Sequence, residues 1–490
     1  MKTKKTLLFL IFPLLGFTQT QIGADIDGEV SYDQSGYSVS LSSDGSTVVI
    51  GAPYNAGNET NSGHVRVYKN MSGTWTQIGA DIDGEAPSDI SGWSVSLSSD
   101  GSIVAIGALY NDGIGSNSGH VRVYKNMAGT WTQIGADIDG EATDDYSGHS
   151  VSLSSDGSIV AIGGINNDGN GSNSGHVRVY KNMAGTWTKI GADIEGEVSY
   201  DQSGYSVSLS SDGSIVAIGA PYNDGNGSNS GHVRVYKNMA GTWTKIGVDI
   251  DGEAAYDYSG YSVSLSSDGS IVAIGAYAND GNGSFSGHVR VYKNMAGTWT
   301  KIGVDIDGEA ASDISGWSVS LSSDGSIVAI GALYSDGIGS NSGHVRMYKN
   351  MAGTWTQIGA DIDGEATDDY SGHSVSLSSD GSIVAIGAIY NDGNGSDSGH
   401  VRVYNLSVVL SSDSFVLERF SIFPNPVSNV LKINLKTNLI LQKVNIYTSL
   451  GQLVKTENKN EINVSSLAKG NYFVEVITNK GKATKKIIIN

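Results

Sequence analysis

One interval constrains this chain more than any other property. The element Ser-Gly-His-Val-Arg-Val-Tyr, with a single Val-to-Met change in the sixth copy, returns every 56 residues and places its histidine at His64, His120, His176, His232, His288, His344 and His400. No insertion breaks the period. A fixed repeat means that one unit cannot bury its own apolar face and must lean on its neighbours, which leads to a solenoid, a propeller or a comparable array.

Four strands are expected in each copy. In "GYSVSLS", Tyr37, Val39 and Leu41 alternate with Ser38, Ser40 and Ser42, the period of a strand with one apolar face. Asp44-Gly45 marks a tight hairpin, and the nearly continuous apolar run "TVVIGA" from Thr47 predicts a strand covered on both sides. A long polar loop leads to "HVRVYKN", and "MSGT" turns into a fourth strand, "WTQIGADI". No window has helical periodicity. The expected fold is all-β: seven four-stranded sheets forming a seven-bladed β-propeller over residues 20–405, followed by a small β-sandwich.

The two ends of the repeat region complement each other. It opens with a lone fourth-type strand at Thr20 to Ile26 and closes with a third-type strand at Gly399 to Asn405 that has no partner after it. Pairing the first with the last would close the ring and remove the unpaired edges of an open array.

The 490-residue chain has no cysteine, which excludes a disulfide scaffold, a thiolate metal site and a cysteine nucleophile. Residues 1–19, with Lys2, Lys4 and Lys5 ahead of an apolar run, have the form of a signal peptide, and no other stretch is long and apolar enough for a membrane helix. Charge divides sharply. Residues 20–405 carry 45 acidic against 16 basic side chains, whereas residues 406–490 carry 11 basic against 5 acidic. Such a repeat region repels nucleic acid and anionic membrane surfaces and favours cations or basic partners.

Strand parity sends the loops after the second and fourth strands to one face. That face should gather Asp25, Asp27, Glu29 and Asp33 of the first copy with their equivalents, and the "NDGNGS" loops as well. The opposite face receives Asp44-type acids and Lys69-type lysines, which nearly cancel. Calcium is considered for the loops Asp168-Asn170-Ser172, Asp224-Asn226-Ser228, Asp280-Asn282-Ser284 and Asp392-Asn394-Ser396, which offer oxygen at alternate positions. These loops lack the glycine at position six and the glutamate at position twelve of an EF-hand, and repeats two and six place Ile114 and Ile338 at the third position. Turn geometry and solvation account for the same residues without an ion.

No catalytic constellation stands out. Seven equivalent histidines, each two residues before an arginine (His64 and Arg66 in the first copy) and on one strand face with Tyr68, suit a structural role between units better than catalysis. His149 and His373 take the place held elsewhere by Tyr37 or Trp93. The aromatics Tyr37, Trp93, Tyr205, Tyr261 and Trp317, with loop tyrosines Tyr54, Tyr110, Tyr222, Tyr334 and Tyr390, would suit sugar stacking or a protein contact if they meet at a mouth, and packing between blades otherwise.

The repeats resemble the FG-GAP repeats of integrin-α-type propellers, through Gly204-Tyr205-Ser206-Val207, Gly219-Ala220-Pro221 and Gly231-His232-Val233-Arg234-Val235-Tyr236. That family's cation-binding loop lies between the first and second strands, where this chain has only "SSDGS", so its calcium sites do not transfer. The C-terminal segment, with "FSIFPNPVSNVLKINL", "VNIYTSLGQLVKT" and "INVSSLAKGNYFVEVITNKGKATKKIIIN" over residues 420–490, resembles the sorting domain of type IX secretion substrates of Bacteroidetes. The resemblance implies export across the outer membrane by the type IX machinery and release or anchoring at the cell surface, with residues 406–419 as linker. The readings left open are an extracellular adhesion or binding propeller for a glycan or protein ligand, a secreted carbohydrate-active hydrolase or lyase, and a passive surface protein.

Overall fold

The computed structural model describes residues 19–407, 420–436, 439–448, 452–479 and 481–490. The expected signal segment, apart from Gln19, and most of the expected linker lie outside these residues. Gln21–Leu406 form one compact unit, and the C-terminal residues belong to a second.

The repeat unit consists of seven antiparallel sheets, one per 56-residue copy. In the first, Ser38–Leu41, Thr47–Ala52, His64–Met71 and Thr74–Gln77 lie side by side in chain order. The second strand is buried along its whole length, as its apolar run requires.

The fourth strand departs from expectation. It breaks after Gln77, and a separate two-residue strand, Ile82–Asp83, pairs with the start of the third strand, with His64 opposite Asp83 and Val65 opposite Ile82. Four residues, 78–81, thus face only two on the partner strand. This bulge turns Asp81 toward His64.

Each sheet buries its apolar faces against the next one. Val49, Val65, Val67 and Ile82 of the first copy pack with Val95, Leu97, Val104 and Ile106 of the second. Ala385, Val401 and Val403 of the seventh pack in the same way with Val39, Leu41, Val48 and Ile50 of the first. Hydrogen bonds repeat the pattern. Leu97 N–H donates to Ser40 Oγ at 3.1 Å between copies one and two, and Leu41 N–H donates to Ser376 Oγ at 3.0 Å between copies one and seven.

Thr20–Gln21 supplies the outer strand of the seventh sheet beside His400–Asn405. Ile22 N–H donates to Val403 O at 2.7 Å and Gly28 N–H to Gly399 O at 2.8 Å, while Ile26 and Asp27 stand opposite Val401 and His400. Leu406, the first residue of the expected linker, is fully buried and donates to Ser382 O at 2.7 Å, so it belongs with the repeats.

Two glycine positions explain the motif that recurs in each copy. A Cβ on Gly51 would lie 2.0 Å from Gly92 O of the following copy, so adjacent sheets approach backbone to backbone there. A Cβ on Gly28 would lie 2.0 Å from Ser398 O, the same closeness on the loop that enters each first strand.

The C-terminal unit has two sheets. Phe420–Phe423, Val430–Leu435 and Glu461–Asn463 make one; Leu453–Glu457, Leu441–Thr448, Gly470–Thr478 and Gly481–Ile489, in that spatial order, make the other. Phe420, Leu431, Ile433, Val444, Ile446, Val474, Val476 and Ile487 share one core, which gives a small two-sheet domain.

Candidate functional site: an aromatic circuit

The first strands of neighbouring copies lie against each other, so the residue that opens each first strand meets its equivalents. Tyr37, Trp93, His149, Tyr205, Tyr261, Trp317 and His373 form a closed circuit of side chains. Centroid distances from each ring to the next are 4.4, 5.9, 4.6, 4.8, 4.6 and 5.9 Å, and His373 returns to Tyr37 at 4.6 Å. Tilted contacts of this length are favourable between aromatic rings. Each of the seven remains partly exposed.

Burial sets the protonation of the circuit. It pushes Tyr205 up to about 12 and holds Tyr37 and Tyr261 above the usual phenol range, so these hydroxyls stay neutral. It pushes His149 and His373 down to about 4, and each Nδ1 lies 3.1 Å from the backbone oxygen of the next copy's tyrosine, Tyr205 or Tyr37. The circuit therefore presents neutral donors, acceptors and ring faces at neutral pH.

A second set of rings flanks it, with Tyr54 6.4 Å from Tyr37 and Tyr222 6.2 Å from Tyr205. Tyr110 meets Tyr146 at 5.4 Å, Tyr222 meets Tyr258 at 5.5 Å, and Tyr370 lies between Tyr334 at 5.3 Å and Tyr390 at 5.0 Å. In the fifth copy the loop tyrosine has moved one place, to Tyr277, which stacks on Tyr258 with an interplanar angle of 11° and touches Tyr261. A cavity of about 330 Å³ is lined by residues of the sixth, seventh and first copies: Trp317, Leu333 and Tyr334; Tyr370, His373, Ile389 and Tyr390; and Gln34, Tyr37 and Tyr54.

The sequence-predicted aromatics Trp93, Tyr205, Tyr261 and Trp317 all join this circuit. Residues missed in the sequence are Gln34, Tyr146, Tyr258, Tyr277 and Tyr370. Four of them share one repeat position, three places before the circuit residue, and that shared position was the available signal. The acids belong elsewhere. Asp25, Asp27 and Glu29 do not line the cavity: Asp25 lies beside His400, Glu29 lies beside His64 and Arg66, and Asp27 offers its backbone oxygen to Arg66 Nη2 at 2.7 Å. Asp33, expected on the acidic surface, is 1 % exposed, and its Oδ2 accepts the N–H groups of Glu29 and Val30 at 3.0 Å each. The loop folds around that carboxylate because a turn with unpaired N–H groups needs an acceptor.

The loops considered for calcium have internal duties. Asp168, Asp224, Asp280 and Asp392 each accept a backbone N–H five residues on, at 2.8–2.9 Å. Asn170, Asn226, Asn282 and Asn394 each donate to two backbone oxygens of the neighbouring "DGE" loop, for Asn394 the oxygens of Gly28 and Glu29 at 2.9 Å. Ser172, Ser228, Ser284 and Ser396 use their carbonyls to accept an N–H from that loop.

The strand arginines reach across to the neighbouring copy, each donating from Nη2 to one of its backbone oxygens, whereas the seven strand histidines have Nε2 without a hydrogen-bond partner and do not form the bonds between units expected of them. Arg66 lies 5.5 Å from the Tyr68 ring centroid and 3.6 Å from Glu29, and each of the other six copies has an equivalent arginine over its own tyrosine.

Comparison with known proteins agrees with this architecture. The FG-GAP repeat family matches residues 20–68, 195–236 and 360–404, and the secretion system C-terminal sorting domain matches residues 421–490. No curated protein matches the chain in sequence. Similar solved structures include the periplasmic gluconolactonase PpgL of Pseudomonas aeruginosa, at 16% identity and TM-score 0.47 over 68% of this chain and 86% of that one. The Cps50 (Swd1) β-propeller domain of Myceliophteria thermophila follows at 9% and 0.47 over 75% and 96%, and the RRP9 WD40 repeats at 13% and 0.46 over 79% and 99%. The described repeat region is all-β, a succession of four-stranded antiparallel sheets, and β-propellers are among the solved structures similar to it. The chain carries FG-GAP repeats and ends in a type IX secretion sorting domain, which marks it as a secreted, surface-attached protein. Among the described residues, no helix is long and apolar enough to cross a membrane.

Proposed function

We propose that the seven sheets are blades of one ring over residues 20–405, closed by the N-terminal strand, and that this ring is an extracellular binding module whose aromatic mouth takes a carbohydrate. Residues 1–19 serve as the export signal, and residues 420–490 engage the type IX machinery. The observation that carries the reading is the closed aromatic circuit bordering a tyrosine-lined cavity. Stacked rings surrounded by neutral hydroxyls, an imidazole and the Gln34 amide match the alternating apolar faces and hydroxyl edges of a pyranose.

A binding role fits better than a hydrolytic one. The cavity is lined by no aspartate or glutamate, whereas glycoside hydrolysis ordinarily needs two carboxylates flanking the bond. Calcium in the "NDGNGS" loops is not needed for this reading.

A glycan array probed with the full-length protein tests it. Binding of a defined glycan class should be lost on Tyr37→Ala or Tyr390→Ala, with the melting temperature of each variant reporting whether the fold survives. A blank array, or binding untouched by both substitutions in folded protein, would move the ligand away from the mouth. Turnover of a polysaccharide would favour the enzyme instead.

A further inference from the structure

The acids that do not line the mouth converge on buried imidazoles. His400 is 1 % exposed, and its Nδ1 has no hydrogen-bond partner. It faces Asp25 Oδ2 at 3.9 Å and Glu365 Oε2 at 4.0 Å, too far for hydrogen bonds and close enough to share an ion. The other oxygen of each carboxylate is already held: Asp25 Oδ1 accepts from Gln21 Nε2 at 2.5 Å, and Glu365 Oε1 lies 3.5 Å from Arg402 Nη1. The remaining oxygen of each carboxyl faces a buried, neutral nitrogen, and the two acids crowd each other closely enough for one carboxyl to hydrogen-bond the other. Burial and this crowding raise Glu365, and a shared cation would relieve the crowding. Outer partners orient each carboxyl as they do around metal ligands.

The trio recurs as Glu29–His64–Asp81 and Glu85–His120–Asp137, with Gln77 and Gln133 in the place of Gln21. The next three copies differ in one residue. A lysine replaces the glutamine, and Lys189, Lys245 and Lys301 each set an ammonium 2.7 Å from the aspartate and 3.4–3.9 Å from the glutamate. Those copies carry their own cation. In the sixth copy Ser335 Oγ, 2.9 Å away, occupies His344 Nδ1.

We propose that the trios at His400, His64 and His120 each bind a divalent transition-metal ion through the imidazole Nδ1 and two carboxylate oxygens, with water completing the shell. The nitrogen ligand favours an ion such as zinc over calcium, which prefers oxygen throughout. Bonds of about 2.0–2.2 Å bring tetrahedral ligands to roughly 3.3 Å apart, so the trio must contract slightly, and the half-exposed glutamate is free to move. Asp25 comes from the N-terminal segment and His400 from the last copy, so the ion at that trio would fasten the two ends of the repeat region to each other.

The test uses the untagged full-length protein, stripped with chelator and titrated with zinc chloride. Three ions per chain and a raised melting temperature are expected. Gln21→Lys, which copies the third to fifth repeats, should remove one ion and abolish part of the thermal shift; Lys189→Gln should add one. No zinc bound, seven ions bound, or a stoichiometry indifferent to both substitutions in folded protein would overturn the proposal. Calcium binding that survives His400→Gln, with zinc not bound, would overturn it too and place the ion in the loops.

Discussion

Six of the seven sheets are made from continuous chain, and the seventh is assembled from both ends of the repeat region. In the six, a two-residue turn such as Ser72-Gly73 joins the third strand to the fourth, so their pairing is local. In the seventh, His400–Asn405 must find Thr20–Gln21 across almost the whole repeat region. The contacts formed are otherwise alike, down to the same serine and glycine hydrogen bonds. The difference teaches that this fold concentrates its entropic cost at one junction, where a long loop has to close before any contact repays it.

The largest effect should come from removing that junction. Deleting residues 20–28 exposes the edge of His400–Asn405 and takes Ile26 from its cluster, and it should abolish cooperative unfolding or lower the melting temperature by more than about 10 °C in calorimetry. A ten-residue glycine-serine insertion between Ser72 and Gly73 lesions a continuous sheet instead and should cost only about 1–2 kcal/mol. Equal effects would erase the distinction between the two kinds of junction.

Acid should weaken all junctions together. Burial lowers His64, His120, His232, His288, His344 and His400 to about 4 and His176 to about 3, below the ordinary value of about 6.5. The unfolded chain therefore takes up protons first. Stability is fully present above about pH 6.5 and drains as the pH falls toward 4, by at most about 1.4 kcal/mol per histidine per pH unit. Burial raises Asp27, Asp83 and Asp139, which act with the opposite sign and offset part of the loss as they take up protons. Denaturant melts across pH 7 to 4 measure the slope, and a flat profile would show that the imidazoles gain protons without unfolding.

Single contacts come next. Arg66→Ala at the seam, where its partners lie on the N-terminal segment, and Arg122→Ala within the continuous array each leave a backbone carbonyl (Asp27 O or Asp83 O) and a glutamate (Glu29 or Glu85) without the guanidinium. Each should cost about 3–4 kcal/mol in denaturant unfolding. A larger loss at Arg66 would sharpen the seam as the weaker junction. The smallest effect belongs to Trp75→Phe, which removes the 2.7 Å hydrogen bond from Nε1 to Ile22 O while leaving most of the packing, and should cost about 1 kcal/mol.

Local spacing made much of the architecture legible. The period, the serine alternation of Ser38–Leu41, the buried run Thr47–Ala52 and the complementary ends at Thr20 and Asn405 all follow from which side chains can face water, and neighbouring residues suffice to decide that. The break in the fourth strand was not legible, because "WTQIGADI" alternates well enough for one strand until Asp81 is seen turning toward His64. Nor was the burial of Asp33, whose carboxylate is claimed by N–H groups of its own loop.

The sequence by itself determined the repeat, most of its strands and the two complementary strands that bound the repeat region, since each depends on periodic hydrophobicity within a few residues. Only the tertiary structure decided that Tyr37 meets His373 and that Asp25 and Glu365 meet at His400. Those groups come from different copies, and only the packing of one sheet on the next brings them within reach of one another.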